Sequence, residues 1–148
     1  MGLRTLSCYA NMLIMLLFGV LEMFFSSAMF EQYGIKLPAA PVPGSMEDLI
    51  QVFFITVGMA DVAFACLFIY ALAYHDNHFI TALLRIVSLI WSGLVYVQYT
   101  RGLPYYQVLK LNAAPLQAQM ALSVAMAVLS LVGSFGGGAA AGAKKKTG

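Results

Sequence analysis

Charged side chains are scarce in this sequence. Of its 148 residues only 8 are Lys or Arg and 6 are Asp or Glu, whereas 61% are hydrophobic and the mean hydropathy is +0.85. So few charges cannot coat a soluble domain, and a net charge of +2 builds no basic groove for nucleic acid. The composition therefore indicates a helical membrane protein that crosses the bilayer several times, with membrane lipids, and no nucleic acid, as its surroundings.

Cysteine and the common catalytic motifs are also sparse. Cys8 and Cys66 lie in or beside apolar runs without a Cys-x-x-Cys pattern, which is typical of buried free thiols. His75 and His78 sit at a short polar connection, and two imidazoles without a third ligand do not predict a metal site. The sequence contains no Gly-rich phosphate loop, Ser/His/Asp set or haem motif. We expect no metal and no cofactor, and an enzyme is the least favoured function.

Long apolar runs dominate the rest of the chain. A bilayer core of about 30 Å is crossed by about 20 helical residues, and four runs reach that length. We predict an all-α fold, an integral membrane four-helix bundle, as a single domain over residues 1–148. The predicted spans cover residues 6–30, 49–74, 79–99 and 116–135, and a flexible tail covers 136–148.

The segments between the spans contain recognisable boundary signals. Ser45, followed by Glu47 and Asp48, predicts the capped start of span two. The polar link between spans two and three is so short that the two helices are expected to be antiparallel neighbours. Residues 100–115, with glycine, prolines and tyrosines, predict an interfacial loop before span four.

Two acids lie inside the predicted membrane spans. Asp61 is near the middle of span two and Glu22 is in span one, and each follows a glycine, Gly58 and Gly19, by three residues. A charge at such depth costs at least about 2.5 kcal/mol, so each acid should have a partner or a task. Small residues beside the acids would let spans one and two approach closely. The acids lie roughly one turn apart in depth, so that neighbouring spans would let them share a proton.

A polar stripe runs along span three. Its residues follow helical spacings of four or three and are Thr81, Arg85, Ser88, Ser92, Tyr96 and Tyr99. We expect this stripe to face protein, with Arg85 either reaching toward Asp61 through Ser88 or water, or extending back to the headgroups. The candidate ligand or proton cavity therefore comprises Glu22, Asp61, Arg85, Ser88, Ser92 and Tyr96. The alternative, which we favour, is that the protonated acids form hydrogen bonds that hold the helices together.

From Glu47 onward the chain resembles the small four-span proteins of the DoxX-like group. The features that carry the resemblance are an acidic helix start, a span two with Gly58 and an alanine-rich end, a brief polar turn, Arg85 in span three, and the motif Arg101-Gly102-Leu103-Pro104. Proteins of that group are largely uncharacterised, so the resemblance implies an architecture and no activity. The chain is also similar in size to the four-span sterol isomerases, but its spans lack the histidine that they use.

The distribution of Lys and Arg favours a cytosolic position for both termini. That arrangement places Arg4, Arg85 and the lysines at 144–146 on one side, and Lys36, Arg101 and Lys110 on the other. Lys145 and Lys146 resemble a Lys-Lys-x-x retrieval signal, which implies the endoplasmic reticulum or another intracellular membrane; contact with lipid headgroups is the alternative. The function we favour from sequence is a non-enzymatic membrane scaffold or accessory subunit with other membrane proteins as partners. The alternative is a lipid- or sterol-binding protein or a proton-coupled carrier that uses the cavity around Glu22 and Asp61.

Overall fold

A computed structural model describes residues 2–32, 36, 41–74 and 77–136 of the chain. The prediction of an all-α four-helix bundle is confirmed. Four helices are long and apolar enough to cross a membrane, and no strand occurs within the described ranges. The predicted tail beyond Gly136, with Lys145 and Lys146, and the connection residues His75 and Asp76 lie outside the described residues.

The described residues form six α-helices and one π-helical segment. They are α1 (Leu3–Phe24), α2 (Ser26–Gln32), α3 (Met46–Tyr74), α4 (Asn77–Val97), the π-helical segment Gln98–Gly102, α5 (Leu103–Val108) and α6 (Ala114–Phe135). The third candidate span continues from α4 through the π-helical segment into α5, over Asn77–Val108.

The first predicted span is broken at Phe25. Its backbone angles of −129° and 29° are not helical, so α1 ends at Phe24 and the short helix α2 begins at Ser26. The adjacent serines at 26 and 27 offer a local reason, since serine pairs are frequent at helix kinks. As a result, α2 leaves the axis of α1 before the predicted end of the span at Phe30.

The start of α3 follows the predicted capping pattern. The Asp48 amide donates a hydrogen bond to the Ser45 hydroxyl at 3.2 Å, and the Gly44 amide donates to the Asp48 carboxylate at 2.8 Å. Glu47 and Asp48 lie in the first turn, where the helix dipole favours negative charge. These bonds set the end of the described loop and the direction in which α3 enters the bundle.

The expectation of a loop over residues 100–115 is wrong for its first half. The chain stays helical to Val108, with a π-helical turn in which the Leu103 amide donates to the Gln98 carbonyl. Pro104 gives the physical reason, because its ring lacks an N–H and would clash with the carbonyl four residues earlier in a regular α-helix. The additional residue in a π-turn relieves that clash and lets the helix continue as α5.

The four long helices pack in the order α3, α1, α6, α4 around the bundle. The most extensive interfaces are those of α1 with α3 and of α4 with α6, and α1 also packs against α6. Although α3 and α4 are consecutive, they touch only weakly. Next to their connection the rings of Tyr70 and Phe79 pack edge to face with centroids 6.1 Å apart. Toward their other ends the two helices leave space between them, which differs from the close pairing that the short link predicts.

One end of the bundle is tightly packed and contains a polar network. Asn11 on α1 accepts a hydrogen bond from the Trp91 indole at 3.0 Å and donates to the Ser130 hydroxyl at 2.8 Å. The Ser7 hydroxyl lies 2.9 Å from the carbonyl oxygen of Leu129. These bonds tie α1 to both α4 and α6, among apolar side chains with little or no exposure such as Phe68, Leu84 and Val87.

Candidate functional site

The close crossing of α1 and α3 determines where the two acids lie. A Cβ atom on Gly19 would lie 2.7 Å from the Gly58 carbonyl oxygen, and one on Gly58 would lie 2.7 Å from the Gly19 carbonyl oxygen. Such distances are too short for any side chain, so the backbones touch directly, as small residues allow in membrane bundles. The Glu22 Cβ atom lies 3.0 Å from the ideal Cβ position on Gly58.

Glu22 and Asp61 line one cavity, which we call the acid cavity. Glu22 is 8% exposed, and its Oε2 atom has no hydrogen-bond partner among the described residues. Asp61 is half-buried and lines the same cavity from α3. A buried polar atom without a hydrogen bond is costly in an apolar environment, which makes this oxygen the most distinctive feature of the site.

The walls of the acid cavity are mostly apolar. It has a volume of about 460 Å³. All four long helices contribute aromatic and aliphatic side chains, among them Phe18, Phe53, Phe54, Trp91, Leu94 and Leu122. Apart from the two acids, Gln119 is the one polar side chain among the described lining residues, and no Lys, Arg or His belongs to that set.

The acid cavity opens sideways between α3 and α4. Phe53 on α3 and Ile90 and Val97 on α4 line it and are also substantially exposed on the outside of the bundle. Gly93 lies on the same wall, and a Cβ atom there would meet nothing within 4 Å. The opening therefore lies where α3 and α4 diverge, on a surface that faces lipid if the four helices span a bilayer.

Helix α2 folds over the end of the acid cavity. Its residue Met29 lines the cavity, and the Phe30 ring packs against Phe54 on α3 with centroids 4.3 Å apart. The Gln51 side chain on α3 donates a hydrogen bond to the Ser26 hydroxyl at 3.3 Å. The break in the helix at Phe25 thus allows α2 to contact α3 across the end of the acid cavity.

The remaining predicted site residues do not line the acid cavity. Arg85 is exposed and its guanidinium lies 5.7 Å from the centre of the Phe135 ring, at the opposite end of α6 from Gln119. Ser88 is buried, but its hydroxyl donates to the Ala127 carbonyl on α6 at 2.9 Å. Ser92 is exposed and donates to the Ser88 carbonyl of its own helix at 2.8 Å.

The expectation that the polar stripe of α4 faces protein is wrong for most of its length. Tyr96 and Tyr99 are 69% and 65% exposed, and only Ser88 in the stripe is buried. Large apolar side chains such as Val87 and Trp91 occupy the interior face, which lies roughly a quarter of a turn around the helix from the stripe. These larger side chains belong to the buried apolar cluster of the bundle, whereas most of the polar stripe lies outside it.

The Asn11–Trp91–Ser130 network and the role of Trp91 were not predicted from the sequence. Trp91 is the single tryptophan of the chain, and it both donates to Asn11 and lines the acid cavity. The sequence feature that indicates this network is the amide side chain of Asn11 inside an apolar run, with Ser7 one turn earlier on the same helix face.

Comparisons with known proteins found no relative. No family model, no curated protein and no solved structure matches the chain. The resemblance to DoxX-like proteins stays a prediction. Within the described ranges, no three His, Cys, Asp or Glu side chains form a group that could hold a metal ion.

Proposed function

We propose that the protein binds a small amphipathic molecule of the lipid or sterol class in the acid cavity. The observation that carries this proposal is the side opening between α3 and α4, which gives membrane lipid access to an apolar volume of about 460 Å³. Ligand sites of about 300–1,000 Å³ with apolar walls and a few placed polar groups are typical of small-molecule binding. Glu22 and Asp61 supply the polar groups.

A second pocket supports a ligand with an extended apolar part. It has a volume of about 370 Å³ and lies between α1, α2 and α6. It shares Phe18, Met29, Gln119 and Leu122 with the acid cavity, so that these side chains form a common wall. Methionine side chains adapt easily to different shapes, and a movement of Met29 would connect the two volumes.

A scaffold or accessory subunit is the competing proposal. It is supported by the exposed face of α6, where Ala118, Ala121 and Ala125 present small side chains of the kind found at helix–helix interfaces in membranes. This role requires a partner protein that co-purifies in mild detergent, and it requires no ligand in the acid cavity. Proton-coupled transport would require, beyond binding, movement of the ligand that depends on the acids.

Trp91 provides a direct test of ligand binding. An alkyl alcohol with bromine at the end of its chain quenches tryptophan fluorescence on contact, and Trp91 is the only tryptophan present. We expect saturable quenching when the bromoalkanol is added to the protein in phosphatidylcholine nanodiscs. Replacement of Gly93 by Leu should remove the saturable part, because its side chain would occupy the cavity wall without a backbone clash.

The control is Ala125→Leu, which adds a similar side chain on the exposed face of α6, away from the acid cavity. The bromoalkanol should quench Trp91 fluorescence in this variant to the same extent as in the unaltered protein. Quenching that rises linearly with bromoalkanol in all three proteins would reflect probe dissolved in the surrounding lipid. That result would contradict ligand binding and favour the scaffold.

We also propose an intracellular membrane of the secretory pathway, with the endoplasmic reticulum first, and a cytosolic side for both termini. The support is the distribution of Lys and Arg together with the pair Lys145 and Lys146. Because a Lys-Lys-x-x signal works only at a free C-terminus, a short C-terminal extension should move the protein to later compartments. Unchanged reticular localisation after the extension would contradict the retrieval signal.

A further inference from the structure

We propose that the ligand of the acid cavity is a cationic amphiphile, an amine or quaternary ammonium group on an apolar tail. This inference rests on the proposed function, because it assigns the chemistry of the headgroup at the same site. The property that points to a cation is the charge of the lining. Two carboxyl groups face the cavity, and none of its described lining residues is Lys, Arg or His.

The buried carboxyl oxygen of Glu22 gives the strongest support for a cationic ligand. Its Oε2 atom is enclosed, and no donor from the described part of the chain reaches it. The Glu22 Cβ atom lies beside Gly58 at the helix crossing, 3.0 Å from the ideal Cβ position there, and the side chain is 8% exposed. A protonated amine would donate the missing hydrogen bond to this oxygen, and a quaternary ammonium group would place a positive charge next to it. Hydrogen bonds in which one partner is charged are stronger than those between neutral groups.

The arginines with defined contacts are too far away to serve as partners. Arg4 donates to the Asn77 side chain at 3.0 Å, to the Thr81 hydroxyl at 2.9 Å and to the Ser134 carbonyl at 3.3 Å. Arg85 stacks over Phe135. Both lie at the tightly packed end of the bundle, whereas Glu22 lies near the other end of α1. Neither Arg4 nor Arg85 therefore lines the acid cavity.

The aromatic walls suit the same headgroup. Phe18, Phe53, Phe54 and Trp91 line the acid cavity. Aromatic ring faces attract cations, and quaternary ammonium groups are commonly recognised in cages of such rings. An alkyl chain would lie along the remaining aliphatic walls and leave through the opening between α3 and α4. An anionic headgroup would instead bring a further negative charge next to two acids in the same apolar volume, which is costly.

The test compares three bromoalkyl probes of equal chain length, an amine, an alcohol and a carboxylate, by saturable quenching of Trp91 in phosphatidylcholine nanodiscs. In the unaltered protein we expect the amine to bind about tenfold more tightly than the alcohol, since a charge-assisted hydrogen bond contributes about this factor. The carboxylate should bind more weakly than both. This comparison needs no substitution and is independent of variant folding.

Variants then assign the preference to the acids. Glu22→Gln and Asp61→Asn should each weaken amine binding about tenfold and so remove most of its advantage over alcohol binding. Glu47→Gln is the matched control, because it removes the same charge from an exposed position at the start of α3 and should change neither. Equal binding of amine and alcohol, or an amine preference that survives both substitutions, would overturn the cationic ligand and leave the proposed function standing. No saturable quenching by any probe would overturn both.

Discussion

Gly19 and Gly58 hold α1 and α3 in direct backbone contact, with a 2.7 Å distance from the ideal Cβ position of each to the carbonyl oxygen of the other. We expect Gly19→Ala and Gly58→Ala each to lower the free energy of unfolding by about 1–3 kcal/mol, the usual effect of overpacking. Thermal unfolding in one detergent measures the effect. Gly93→Ala is the control, because nothing lies within 4 Å of its ideal Cβ position. Equal unfolding temperatures for the three variants would contradict the close crossing.

Asn11 joins three helices, and its removal should weaken the bundle. Asn11→Leu loses the bonds to Trp91 and Ser130, and each interhelical hydrogen bond in a membrane protein contributes about 0.6 kcal/mol on average and up to about 1.7 kcal/mol. We expect a lower unfolding temperature together with a changed Trp91 emission maximum, because the indole loses its acceptor. Gln117→Leu, on the exposed face of α6, should change neither. A variant of Asn11 with unaltered emission would argue against the network.

Ser88 and Ser92 form a matched pair on α4. The Ser88 hydroxyl bonds across to α6, whereas the Ser92 hydroxyl bonds to a carbonyl of its own helix. Ser88→Ala should lower the free energy of unfolding by about 0.6 kcal/mol and Ser92→Ala by less. Chemical or thermal unfolding of both variants measures the difference. The opposite order would mean that the polar stripe, and not the apolar face, is directed into the bundle.

Arg4 and Arg85 should differ strongly in their contribution to stability. Arg4 makes hydrogen bonds to α4 and α6, and a hydrogen bond to a charged group contributes about 1.5–3 kcal/mol. Arg85 contacts one ring from an exposed position, which is worth about 0.5–1 kcal/mol. Arg4→Gln should therefore lower the unfolding temperature more than Arg85→Gln does. A larger effect at Arg85 would indicate a contact of that side chain beyond the single chain.

The spans and the close approach of α1 and α3 could be inferred from the sequence because they depend on local patterns. Apolar runs of sufficient length define the helices, and a glycine three residues before Glu22 and before Asp61 indicates where two helices can approach. The capped start of α3 likewise depends only on residues that are neighbours in the sequence. These features need no knowledge of how the helices rotate about their own axes.

The rotation of α4 could not be inferred in the same way. A stripe of polar residues and a face of large apolar residues compete for the interior, and the outcome depends on how Val87 and Trp91 fit into the core of the bundle. The network of Asn11, Trp91 and Ser130 joins residues far apart in sequence, and no spacing rule connects them. Helical continuation past Gly102 likewise depends on a π-turn that simple proline rules do not anticipate.

The contrast between the two ends of the bundle has a consequence for local stability. Buried residues of α3 such as Ala65, Phe68 and Ala71 belong to its second half, whereas Val52 and Phe53 in its first half are exposed. Local unfolding of a segment requires less free energy when that segment buries less apolar surface. The part of α3 that precedes Gly58, together with α2, is therefore expected to move away from α4 more easily than the Asn11 end opens. A ligand could thus enter or leave the acid cavity by a local fluctuation, without dissociation of the helices that hold the fold together.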